Sequence, residues 1–65
     1  MKVRRDKRLI GHRVLVINPQ SPLYNRQGKI VGFRGDQDKG NPYVQVAIVN
    51  HHVETIPASS LMLFD

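Results

Sequence analysis

The side chains able to do chemistry are few in this sequence, and their spacing does not gather them. His12, His51 and His52 are the only imidazoles, with Glu54 and Asp65 the acids that follow the adjacent pair. A zinc ion needs three or four ligands converging on one point. Neighbouring residues on an extended segment project to opposite sides, so His51 and His52 are expected to point apart, as two exposed turn histidines whose charge changes below pH 7. Ser21, Ser59 and Ser60 sit at turn and cap positions, where a hydroxyl satisfies backbone donors, and no Ser, His and acid arrangement is readable. Asp36 and Asp38 are two apart in a Gly-rich stretch but lack the remaining oxygen ligands of a calcium loop. No two carboxylates read as a general acid and base. The residues therefore predict no catalytic group, no metal, no cofactor and no enzymatic activity.

What the sequence does concentrate is positive charge. The 65 residues carry a formal net charge of +5. Lys2, Arg4, Arg5, Lys7 and Arg8 crowd the first eight positions against Asp6 alone, whereas Arg13, Arg26, Lys29, Arg34 and Lys39 are almost balanced by Asp36, Asp38, Glu54 and Asp65. This divides the chain into a flexible basic arm over residues 1–8 and one folded domain over residues 9–65. Cations on an arm release counterions when they meet phosphates; the plainer role of such an arm is solvation. Arg13, Arg26, Lys29 and Arg34 all come from the stretch 13–34. With Tyr24, and with Phe33 or Tyr43, they could form a basic patch interleaved with aromatics that holds phosphates and stacks unpaired bases, each base worth about 1–3 kcal/mol. Phe33 is the better candidate for the core, because a large apolar ring is worth most when buried. The same patch would suit an acidic protein surface.

The elements that must carry these residues read as strands. His12 to Ile17 is dominated by β-branched residues, and its continuous apolar run predicts a strand covered on both faces, as in a small closed barrel. Pro19 and Pro22 exclude an interior strand over Pro19 to Asn25, which predicts a loop. Asn25 and Gly28 are expected at positive φ, and Gly32, inside the strand Gly28 to Arg34, predicts a bulge or bend. Gly35 to Pro42 reads as a mobile hairpin connection. Tyr43 to Asn50 alternates cleanly, placing Val44, Val46 and Ile48 in the core. Val53 to Ile56 predicts a fourth strand, Pro57 to Ser60 a 3₁₀ turn, and Leu61 to Phe64 a fifth strand.

So short a chain lies near the lower limit for one self-sufficient core, and without cysteine it has no disulfide to help. No apolar run approaches the roughly 20 residues that span a bilayer, and the amino terminus lacks a signal-peptide pattern. These features predict a soluble, cytoplasmic protein without membrane insertion, and exposed sheet edges are compatible with a homo-oligomer.

Five short strands with a long first loop and a 3₁₀ turn before the last strand resemble an SH3-like barrel over residues 9–65. The segment Ile56-Pro57-Ala58-Ser59-Ser60-Leu61 is similar to the Pro-led turn that ends such barrels. Gly11 to Val16 followed by Asn25-Arg26-Gln27-Gly28-Lys29-Ile30 resembles the KOW motif of ribosomal proteins and transcription elongation factors, with Asn25 where Gly is more usual. That resemblance implies a nucleic-acid partner within a ribonucleoprotein or transcription complex. Pro19, Ser21, Tyr24, Asn25 and Gly28, with Tyr43-Val44-Gln45-Val46, are similar to the small non-catalytic docking protein on the reducing side of photosystem I, where soluble ferredoxin binds. This implies an alternative in which the loop docks a protein, although Asn18 replaces a usual basic residue and the turn Asn50 to His52 is short. Gly28 to Phe33 and Val53 to Leu61 also resemble the type II dihydrofolate reductases. There Val53-Glu54-Thr55-Ile56 replaces a Val-Gln-Ile-Tyr run, removing the groups that would hold pterin and nicotinamide.

Overall fold

The structure is a computed structural model that describes residues 3–34 and 42–64. Its strands are β1 (Arg13–Val16), β2 (Gln27–Arg34), β3 (Tyr43–Ile48), β4 (Val53–Pro57) and β5 (Leu61–Leu63), with 3₁₀ turns at Lys7–Leu9 and Ala58–Ser60. All pairings are antiparallel and form one sheet in the order β4-β3-β2-β1-β5. The all-β architecture of five strands with a 3₁₀ turn before the last is thus present.

The expected closure into a barrel is not. Among the described residues no ladder joins β4 to β5, so the sheet stays open. At about 3.3 Å per residue the three residues of β5 extend only about 10 Å, all of it used in pairing with β1. Yet Ala58–Ser60 alone connects these two opposite edges, which forces the sheet to curl until its edges approach at that corner. Backbone bonds pin the corner: Ile17 N–H donates to Ser60 O at 2.8 Å, and Ala58 N–H to Pro42 O at 2.8 Å.

Curling gives the sheet one interior. Val14, Val16, Ile30, Val44, Val46, Ile48, Ile56, Leu61 and Leu63 point into it from all five strands, each contributing about 1.5–3 kcal/mol by leaving water. The alternation in β3 places Val44, Val46 and Ile48 inside as predicted. In β1 it corrects the prediction of two covered faces: Val14 and Val16 are buried, Leu15 is half-buried on the outer face, and Ile17 beyond the strand is exposed. An open single sheet has only one interior to offer.

Asn25 adopts φ 70 as expected, and the expected bend at Gly32 appears as a register shift, with Ile30 opposite Val46 but Gly32 opposite Gln45. Gly28 differs from expectation. It lies inside β2 with no positive φ, and its small size is needed for another reason: a Cβ there would sit 2.6 Å from Ala47 O and 2.6 Å from Val46 Cγ1. Glycine lets β2 and β3 approach, and no turn is involved.

The amino-terminal segment, which shows no periodicity in sequence, is tethered twice. Val3 is buried in the core cluster, and Asp6 caps the first 3₁₀ turn by accepting from Arg8 N–H at 2.9 Å. Lys2 lies outside the described residues, as do Asp36, Asp38, Lys39, Asp65 and all but Pro42 of the expected hairpin connection. Among the described residues no helix is long and apolar enough to cross a membrane.

Candidate functional site

Strand alternation decides which basic residues share a surface. In β1 and β2 the inward positions Val14 and Gly28 are partners, so their neighbours Arg13 and Lys29, also partners, stand on the outer face. Beyond the bulge, Arg34 pairs with Tyr43, and both are exposed on that face. On the other side of β1, Phe64 follows β5 outward, and the Arg13 guanidinium lies 5.4 Å from its ring centroid, within cation–π range. The outer face therefore carries Arg13, Lys29 and Arg34 interleaved with Phe64 and Tyr43. Two cations directly opposite each other on adjacent strands repel, at a cost of about 0.2–1 kcal/mol. An anion placed between Arg13 and Lys29 would relieve that repulsion.

Beside this pair is a recess of about 180 Å³, lined by Arg13, Gln27, Gly28, Lys29, Ala47 and Val49. Its floor is the backbone at Gly28 and the small side chain of Ala47. A small apolar hollow rimmed by two cations can accept a flat apolar group joined to an anion.

The other predicted contacts are placed differently. Tyr24 is exposed in the first loop, which is ordered by tight turns: Asn18 Oδ1 accepts from Gln20 N–H at 3.0 Å, and Ser21 Oγ from Leu23 N–H at 3.1 Å. Arg26 is engaged in structure, its Nη2 donating to Val49 O at 2.9 Å and fastening the first loop to the β3–β4 turn. Phe33 is partly buried against the core, the role its size favours. In the arm Arg4, Arg5, Lys7 and Arg8 are exposed, and Arg8 is held by Asp6 through Nε at 3.2 Å and Nη2 at 2.9 Å. The side-chain bond from Arg8 is the main reason the Asp6 carboxyl is held at about 2, below its usual 3.8.

Sequence reasoning misses two groupings. Phe64 reads there only as the end of a strand, although the alternation of Leu61, Met62 and Leu63 sends it outward with Met62. The histidines do not point apart. The pair sits in a bend outside the strands, and there the rings of His51 and His52 stack, centroids 4.2 Å apart, with each Nε2 2.9 Å from Glu54 Oε2.

Compared with protein-family models, with curated proteins and with solved structures, the chain matches none.

Proposed function

We propose that the chain is a non-catalytic binding module that contacts nucleic acid within a ribonucleoprotein or transcription complex, using the outer face of its sheet. The observation that carries this reading is the opposed Arg13–Lys29 pair on the rim of an apolar recess, with Phe64 beside Arg13 and the Arg34–Tyr43 pair farther along. Cations hold phosphates while rings and the recess take unpaired bases, an arrangement indifferent to base identity. The resemblance of Gly11 to Val16 and Asn25 to Ile30 to the KOW motif agrees with it, and so does the basic arm.

Fluorescence anisotropy with a short labelled single-stranded RNA tests the reading. Three phosphate contacts from Arg13, Lys29 and Arg34 give log K against log salt a slope of about −2, and Lys29→Ala makes it shallower by about 0.7. Because Val3 is buried, the arm is tested by neutralising Arg4, Arg5 and Lys7 in place, with deletion avoided. No retention on RNA or DNA at low salt would overturn the reading. A second reading, docking of an acidic protein, is favoured by the exposed apolar side chains Val31, Tyr43 and Met62 on the same face. It predicts binding to acidic proteins without binding to polynucleotides.

A further inference from the structure

We propose that His51, His52 and Glu54 form a binding site for a divalent transition metal of borderline softness, with zinc the first candidate. This site lies on the β3–β4 turn and does not depend on the reading given to the outer face.

The geometry begins with the backbone. Asn50 takes the left-handed conformation, and His51 N–H closes the turn on Ile48 O at 3.0 Å. In this bend, outside the strand geometry that would send adjacent side chains apart, the two rings stack with their planes 24° apart. The third group comes from a regular element. Glu54 is in β4, opposite Val46 and in phase with buried Ile56, so alternation turns it toward the interior side and leaves it half-buried. Its backbone is thus fixed by the sheet, and its carboxylate is held by the two histidine rings.

Three ligand atoms, one from each residue, lie within 4.8 Å of one another. The two Nε2 to Oε2 separations of 2.9 Å are close to the roughly 3.3 Å that separates two ligands on a tetrahedral zinc with bonds near 2.0–2.1 Å. Two imidazoles and a carboxylate match zinc, copper or nickel, whereas magnesium and calcium take oxygen almost exclusively. The set leaves a fourth position to water. Without a metal, both Nε2 atoms must carry protons to donate to a single carboxylate oxygen. With a metal, both are lone-pair donors, and the carboxylate neutralises one of its two charges. Metal binding therefore requires each Nε2 to give up its proton, to Nδ1 of the same ring or to solvent.

The test is calorimetric titration of the full chain with zinc sulfate at about pH 7.5, with histidine ring resonances followed by NMR. One equivalent should bind per chain and shift the rings of His51 and His52, while the ring of His12 stays put. Loss of a ligand should cost at least the tenfold or more that loss of an outer-shell partner costs, so His51→Ala, His52→Ala and Glu54→Gln each weaken binding at least about tenfold. His12→Ala leaves it unchanged. Thermal melts without metal establish that each variant is folded. Binding that survives the His51→Ala, His52→Ala double variant would overturn the proposal, as would a folded parent chain whose ring resonances are unmoved by millimolar zinc.

Discussion

Replacing Gly28 by alanine should be among the most damaging single-methyl changes available to this chain. The added Cβ would lie 2.6 Å from Ala47 O, 2.6 Å from Val46 Cγ1 and 3.1 Å from Ile48 Cδ1. Val46 and Ile48 are packed core residues, and the Ala47 carbonyl belongs to the β3 backbone, so none of the three can swing away. Relief requires moving β3 from β2 along the most extensively paired interface of the sheet. Overpacking of this kind costs typically 1–3 kcal/mol, and contact with backbone places it at about 3 kcal/mol. That is a large part of the roughly 3–10 kcal/mol expected for a domain of this size, and it lowers Tm by about 12–24 °C. Gly32→Ala supplies the contrast. Its nearest contact is Gln45 Oε1 at 2.6 Å, the far end of a side chain that can rotate, and alanine in a strand recovers about 0.5–1 kcal/mol of backbone entropy, so its net effect should stay within about 1 kcal/mol. Urea denaturation followed by circular dichroism measures both. Gly28→Asn sharpens the test, because asparagine suits a left-handed position but is larger than alanine. If Gly28→Asn proves milder than Gly28→Ala, or if Gly28→Ala costs under about 1 kcal/mol, close approach is the wrong explanation.

Lys29→Ala should separate stability from binding: removing the repulsion with Arg13 stabilises the fold by about 0.2–1 kcal/mol in denaturant melts, even as RNA affinity and its salt slope fall. Equal loss of both would contradict the placement of the pair. Arg26→Ala should cost about 1 kcal/mol or less, since the bond to Val49 O is exposed, but should speed amide exchange at His51; unchanged exchange would show that the bond does not hold the turn. The Asp6 carboxyl, lowered to about 2 mainly by the side-chain bond from Arg8, contributes stability above its ordinary 3.8 that is lost as pH falls through 2. Carbon NMR of the carboxyl should give that low midpoint, and Asp6→Asn should remove the acid-dependent change in the Arg8 amide.

The sheet was legible wherever sequence period alone decides geometry. Val44, Val46 and Ile48 alternate with Tyr43, Gln45 and Ala47, and no other arrangement buries the first set. The bulge at Gly32, the left-handed Asn25 and the 3₁₀ turn at Ala58–Ser60 follow equally from local residue preference. Features that need partners remote in sequence were not legible. Whether the sheet closes depends on the reach of β5, and the size limit at Gly28 depends on strand β3 some twenty residues away. Arg26 looked like surface charge because its acceptor is a backbone carbonyl, which leaves no trace in the pattern of side chains. The convergence of His51 and His52 depends on a bend at His51 that takes the pair out of strand geometry, and on Glu54 in β4 as their shared partner. Arg13, Lys29 and Arg34 share the outer face because strand alternation puts them there, and Phe64 was recoverable from the same alternation.

The curl that brings β5 back beside β1 also sets an order of assembly. β2, β3 and β4 form a meander whose neighbours in space are neighbours in sequence, whereas Val14 must find Leu63 across almost the whole described chain. Closing so long a loop costs entropy before any contact repays it, and sheets dominated by such pairings fold in milliseconds to seconds, more slowly than helical bundles of similar size. Loop-closure cost predicts a nucleus in the meander, with the β1–β5 pairing added late. Substitutions at Leu61 or Leu63 would then act mainly by hastening unfolding, and those at Val46 by slowing folding. Stopped-flow measurement of both rates would tell the two apart, so the position of one short strand governs how long the folded protein lasts, while the meander governs how fast it forms.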